Sequence, residues 1–145
     1  NMLEQYPAVR FFPIAKEKGT GLLTTLPHAW GLLEETHTRR GSSGQLDARI
    51  FPSEEWLERG LKKLSRLDFL VREMEPTIGQ VAIKFALSAP QVATVITDVT
   101  NQDQLEEFAA APESEEIPAE FLNTIIELYE EDIYSEEGSE DSWIE

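Results

Sequence analysis

Two short apolar runs separated by a long helical stretch constrain this chain more than any other feature. Leu22-Leu23-Thr24-Thr25-Leu26, closed by Pro27, reads as a short buried strand, and the β-branched Val92-Ala93-Thr94-Val95-Ile96 reads as a second. Around them apolar residues recur at helical spacing. The order helix, strand, loop, two helices, strand, helix, helix predicts parallel strands joined by crossovers, an α/β arrangement. Two strands cannot close a barrel or shield both faces of a parallel sheet. The chain therefore lacks partners for its own core, and reads as part of a larger sheet or as a subunit that depends on assembly.

The local signals are consistent with that order. Ala8 to Lys18 suits a short helix, with Phe11, Phe12 and Ala15 on one side and Lys16, Glu17 and Lys18 on the other. Gly19 and Gly21 punctuate its end. Glu34 to Ile50, rich in Gly, Ser, Thr and Arg, reads as a long exposed loop. Ser53 then suits an N-cap, and Trp56, Leu57, Leu61, Leu64, Leu67, Val71 and Met74 predict one amphipathic helix of about five to six turns, stopped by Pro76. Thr77 with Gln80 forms a capping-box signature for a helix from Ile78 to Ser88. Asn101 with Gln104 repeats the signature ahead of a helix carrying Leu105, Phe108 and Ala109. Pro118 opens a last helix with Phe121, Leu122, Ile125, Ile126 and Tyr129 along one stripe. From Ser135 the residues are acidic and small, which predicts disorder, so the chain divides into a body, 1–134, and a tail, 135–145.

Length and charge narrow the function classes. At 145 residues the chain can bury one ordinary core, but falls well short of the roughly 250 residues of a closed (β/α)8 barrel. With no cysteine there is no disulfide framework and no thiolate metal site, and two histidines leave little for zinc. There is no signal peptide and no apolar run long enough to span a bilayer, so a cytoplasmic protein is the expectation. The net charge of −16 is unevenly placed. Residues 1–84 hold 12 Lys and Arg against 11 Asp and Glu, whereas residues 85–145 hold 17 Asp and Glu and no Lys or Arg. Such a footprint argues against nucleic acid or an anionic membrane as partner, because both call for basic surfaces. Solubility or adaptation to salt is the simple reading of the acidic half, and an acidic docking tail the other.

Several segments resemble the C-terminal part of an aldo-keto reductase barrel. Thr20 to Leu33 resembles the family's seventh strand and its following Ser-Pro-Leu-x-x-Gly-Leu-Leu segment. Thr77-Ile-Gly-Gln-Val-Ala-Ile-Lys-Phe-Ala-Leu-Ser-Ala-Pro-Gln-Val-Ala-Thr-Val-Ile96 resembles its T-x-x-Q-x-A-hydrophobic helix and its eighth strand. Asn101 to Ala111 is similar to the helix that reads P-E-Q-L-x-E-N, and Asn1-Met-Leu-Glu-Gln5 to the segment leaving strand six. The set covers roughly residues 1–130 in family order. It implies a partial (β/α)8 TIM barrel: strands seven and eight with their helices, then a C-terminal helix and acidic tail.

The resemblance also implies a parent activity, NAD(P)H-dependent reduction of a small carbonyl substrate. The family's Asp, Tyr, Lys and His tetrad lies in the first half of the barrel and is absent here. His28, His37, Tyr6, Tyr129 and Tyr134 do not stand at tetrad positions, so no catalytic residue is expected and this segment alone should be inactive. What the segment implies is the cofactor-phosphate side, built from the loops Leu26 to Leu33 and Thr97 to Gln104 and a helix N-terminus. Gly31 and Leu32 in the first loop, and Gln104 and Glu107 towards the adenine end, are the implied cofactor-binding residues. For Gly31, Gln104 and Glu107 the plainer readings are a turn glycine, a capping glutamine and an exposed helical glutamate.

Departures from the family pattern bear on the cofactor. The loop Thr97-Asp98-Val99-Thr100-Asn101-Gln102-Asp103-Gln104 has two carboxylates and no cation where NADP-preferring members place Lys or Arg, so NADH preference is expected. Phe108 replaces the last Asn of the helix motif, and Thr25 an aromatic residue. A diverged non-catalytic relative, or a short protein that completes its sheet with a partner chain, are the alternatives. His28 reads as a loop residue near the barrel mouth rather than a substrate contact, His37 as solvated and Trp56 as core; Trp30 reads first as a structural anchor, and otherwise as the one residue here to contact substrate.

Overall fold

The computed structural model describes residues 1–34 and 51–135. Helix α1, Tyr6–Lys18, begins two residues ahead of expectation because Pro7 in its first turn has no N–H to leave unsatisfied. It ends at Gly19, whose φ of 62° closes the turn in the left-handed region. Ala15 is buried, whereas Phe11 is exposed.

Strands β1, Leu22–Thr25, and β2, Val92–Ile96, pair in parallel, with Leu23 opposite Thr94 and Thr25 opposite Ile96. A register irregularity lies between Leu22 and Leu23. Burial alternates along β1, where Leu22 and Thr24 are half-buried and Leu23 is 65% exposed; along β2, Val92 and Val95 are half-buried, Ala93 and Thr94 between them are exposed, and Ile96 is 50% exposed. The expectation of a buried first strand therefore holds for one face only, the face covered by helices. Leu26 does not continue β1, because its φ of 53° turns the chain away.

The single helix expected from Ser53 to Met74 is two, α2 (Glu54–Arg66) and α3 (Asp68–Glu73). Ser53 Oγ accepts the Trp56 N–H at 3.0 Å, as the N-cap reading requires. At the break, Leu67 N–H bonds Leu64 O and Leu70 N–H bonds Leu67 O, both at 3.0 Å and three residues apart. Tightening the turn there brings both Leu67 and Leu70 into the core, where they are 4% and 0% exposed. Burying two large side chains outweighs keeping one regular helix.

Helix α4, Ile78–Leu87, is the central one, burying Ile78, Val81, Ala82, Ile83 and Lys84. Its capping box forms with both halves present, Thr77 and Gln80 exchanging bonds of 3.2 Å each. Helix α5, Gln102–Ala110, and α6, Ala119–Ser135, complete the described residues. Leu3, Leu32, Leu33, Leu70, Val81 and Ile125 form the dry centre, and Ile83, Phe108 and Ala111 a smaller cluster behind α4. On α6, Ile125 and Tyr129 are buried and Ile126 is exposed; the Tyr129 hydroxyl accepts the Tyr6 N–H at 3.0 Å, joining last helix to first. The result is a mixed α/β body, mostly helical, with a small two-stranded parallel sheet.

No helix among the described residues is long and apolar enough to cross a membrane. Most of the expected loop from Glu34 to Ile50, including His37, and the tail beyond Ser135 lie outside the described residues.

Candidate functional site

Both strands open at their carboxyl ends onto one depression. After β1 the chain folds back through four left-handed residues, Leu26 (φ 53°), Ala29 (48°), Trp30 (59°) and Gly31 (88°). Each such non-glycine residue costs on the order of 1 kcal/mol, so the surroundings must hold it. Gly31 N–H and Leu33 N–H both donate to His28 O, at 2.9 and 3.0 Å, and the Asn1 side chain donates to Leu26 O at 3.1 Å. The outcome drives Ala29, Leu32 and Leu33 into the core at 0–1% exposure and leaves Trp30 half-buried at the rim.

This winding also buries His28, at 4% exposure. Its Nε2 lies 3.1 Å from Gly79 O in the first turn of α4, and its Nδ1 lies 3.1 Å from Thr97 Oγ1, just past β2. A carbonyl only accepts, so Nε2 carries the proton, and Nδ1 accepts from the Thr97 hydroxyl. The ring stacks on Phe108 of α5 with centroids 4.1 Å apart. Burial pushes the imidazole below the usual histidine range, while the Gly79 carbonyl bond and the Glu34, Glu107 and Asp98 carboxylates pull the other way.

Glu34 does not behave as an exposed loop residue: it is 8% exposed. Its Oε2 accepts Gln104 Nε2 at 2.9 Å, and its Oε1 is 4.0 Å from His28 Nδ1. Gln104 is equally committed, with Oε1 accepting the Thr100 N–H and hydroxyl at 2.9 and 2.7 Å. The Asn101 cap forms, its Oδ1 taking the Gln104 N–H at 2.9 Å, but the glutamine side chain reaches back to Thr100 rather than to Asn101. Glu107 is half-buried, and its Oε1 accepts the Thr77 hydroxyl at 2.5 Å, tying α5 to α4. Gly79 allows this approach, because a Cβ there would stand 2.9 Å from Glu107 Oε1 and 3.0 Å from Phe108.

Of the four residues singled out by sequence, Gly31 lines the depression, Leu32 is core, and Gln104 and Glu107 lie in hydrogen-bond networks on α5. The depression, about 200 Å³ and open to solvent, is walled by Leu26, Pro27, His28, Trp30, Gly31, Glu34 and Asp98. No group of three or more His, Cys, Asp or Glu among the described residues is placed to hold a metal ion. Sequence reasoning missed His28, Glu34 and Thr97 as a unit. The available signal was that His28 stands where the quoted loop pattern has Leu, and Phe108 where the helix pattern has Asn; these two departures touch each other.

Comparison with known proteins gives this arrangement a context. A sequence model described as "Aldo/keto reductase family" matches residues 1–130. A protein of Arabidopsis thaliana named "Probable voltage-gated potassium channel subunit beta" is 29% identical over 104 residues, covering 67% of this chain and 31% of that protein. The chain thus spans about a third of the length of that curated relative.

Proposed function

This chain belongs to the aldo/keto reductase family, a family of oxidoreductases, and we propose that it is the C-terminal part of a (β/α)8 barrel reductase. On this reading β1 and β2 are the seventh and eighth strands, and the chain forms the cofactor-phosphate side of a site that reduces a small carbonyl substrate with NAD(P)H. The observation that carries it is the shared depression at the carboxyl ends of two parallel strands, the place where α/β folds bind ligands.

With a nicotinamide dinucleotide held along this side, its ring would supply a hydride to the carbonyl carbon, and the proton donor would belong to the other part of the barrel. Gly31 allows close backbone approach, Leu32 anchors that loop in the core, and Gln104 and Glu107 hold the adenine-side wall. Residues 97–107 hold no Lys or Arg to pair with a 2′-phosphate, which supports NADH over NADPH.

Titration of the full-length polypeptide that carries this chain, followed by quenching of protein fluorescence, tests both parts. NADH is expected to bind at least several-fold tighter than NADPH. Tighter NADPH binding would overturn the preference, and binding of neither would overturn the reductase reading. Asp98→Lys should narrow the gap by raising NADPH affinity.

The uncovered sheet face, with Leu23 and Ile96 exposed, also supports a second reading in which another chain completes the sheet. The coding sequence upstream of Asn1 separates the two, because the first reading requires six further strands and the tetrad there.

A further inference from the structure

His28 touches more elements of the site than any residue singled out by sequence. Its backbone carbonyl holds the loop after β1, Nε2 reaches α4, Nδ1 reaches the loop after β2, and its ring lies on α5. The two loops it joins are the two that wall the depression. We propose that His28 is a positioning residue that holds these loops at fixed spacing, and so sets the affinity for the nicotinamide dinucleotide. The inference rests on the cofactor reading above.

The chemistry of the link gives it a direction. The Thr97 hydroxyl can donate to Nδ1 only while the imidazole is neutral. Protonation places a hydrogen on Nδ1, facing a hydroxyl that must then turn around and a Glu34 carboxylate 4.0 Å away that competes for it. The charged groups facing the ring are Glu34 from the loop after β1, Asp98 from the loop after β2 and Glu107 from α5, while α4 contributes the uncharged Gly79 carbonyl. Protonation would reverse the Thr97 bond, with Nδ1–H donating to Oγ1 and the hydroxyl turning to the Asp98 carbonyl 3.4 Å away, while the Gly79 bond persists.

Thr97→Val removes the tie and keeps the shape of the side chain; His28→Gln keeps a donor and an acceptor but cannot titrate. Both are made in the full-length polypeptide, with NADH affinity measured at pH 7.5 and amide exchange followed across residues 97–101. Thr97→Val is expected to weaken NADH roughly ten-fold at pH 7.5 and speed exchange in that segment by a similar factor, the loss of about one buried hydrogen bond. The loss should appear chiefly as a raised KM for NADH, with kcat falling less, because it is in binding. The double variant should be no weaker than His28→Gln alone.

Unchanged exchange and affinity in Thr97→Val would overturn the proposal even if His28→Gln fails to fold. So would additive losses in the double variant. A wild-type protein that binds neither NADH nor NADPH overturns the cofactor reading and the affinity claim together, while the exchange measurement still decides whether the loops are tied. If cofactor binds and Thr97→Val changes neither quantity, the reductase reading stands and the positioning role of His28 falls.

Discussion

Thr24 and His28 are four residues apart and bury polar atoms with opposite outcomes. The Thr24 hydroxyl is buried with no hydrogen-bond partner among the described residues, whereas both ring nitrogens of His28 are within bonding distance of one. An unsatisfied buried hydroxyl costs about 1–3 kcal/mol, so Thr24→Val, which keeps the branch and removes the polar atom, should raise stability by about 1 kcal/mol in urea unfolding. A loss of stability would mean that the hydroxyl is satisfied in solution. For His28 the imidazole is held below its usual range by burial, so the unfolded chain takes up the proton first. Its contribution is whole above the unfolded value of about 6.5 and declines as pH falls through that value towards the folded one. The melting-point advantage of wild type over His28→Gln should therefore shrink between pH 7.5 and 5. An advantage that stays constant across that range would show that His28 does not titrate differently in the two states. Neither behaviour is legible from a lone Thr or His in sequence, because burial and partners come from segments far along the chain.

Among the elements, α4 and the break between α2 and α3 teach the most. The caps of α2, α4 and α5 were legible at Ser53, Thr77 and Asn101, since a cap needs only residues within one turn of itself. The break at Leu67 was not, because a continuous apolar period fits one helix as well as two. Only the chance to bury both Leu67 and Leu70 distinguishes them. Leu70→Ala, at a fully buried position, should cost about 2–5 kcal/mol by denaturant unfolding, with most of the spread set by how far the cavity collapses. At Gly79 the usual helix preference for alanine, worth about 1 kcal/mol, opposes a Cβ 3.0 Å from Phe108 and 2.9 Å from the Glu107 oxygen bonded to Thr77. Overpacking of about 1–3 kcal/mol wins, so Gly79→Ala should lower the melting temperature. A rise would show that α5 can move aside freely.

For the whole molecule, the sheet is the element that stands unfinished. Leu23 and Ile96 project from its open face, and Val9, Phe11 and Ile14 are exposed on α1. Apolar surface left in water favours association. The 145-residue chain by itself is therefore expected to self-associate in light scattering as concentration rises, and Leu23→Thr with Ile96→Thr should suppress this. In a completed barrel, as proposed above, the same pair should instead lower stability. Monodisperse behaviour of the unaltered short chain at high concentration would count against a face built to be covered. The acidic half, with 17 carboxylates and no Lys or Arg from residue 85 on, opposes association by charge repulsion, so added salt should promote it.

Periodicity, caps and proline positions in the sequence determined the order of helices and strands apart from the α2–α3 break, because those depend on neighbours within a few turns, and the strand–helix–strand order implied the parallel pairing. The family was legible too, from ordered motifs over residues 1–130, and the matching family model agrees. Tertiary structure alone decided that one face of the sheet is bare and that one long helix is two. It alone decided that Glu34 is buried, that Gln104 is bonded within the chain, and that His28 meets Gly79, Thr97 and Phe108. Those contacts join residues 51 to 80 positions apart, and they form only when core burial folds the loop after β1 through left-handed residues that local preference disfavours.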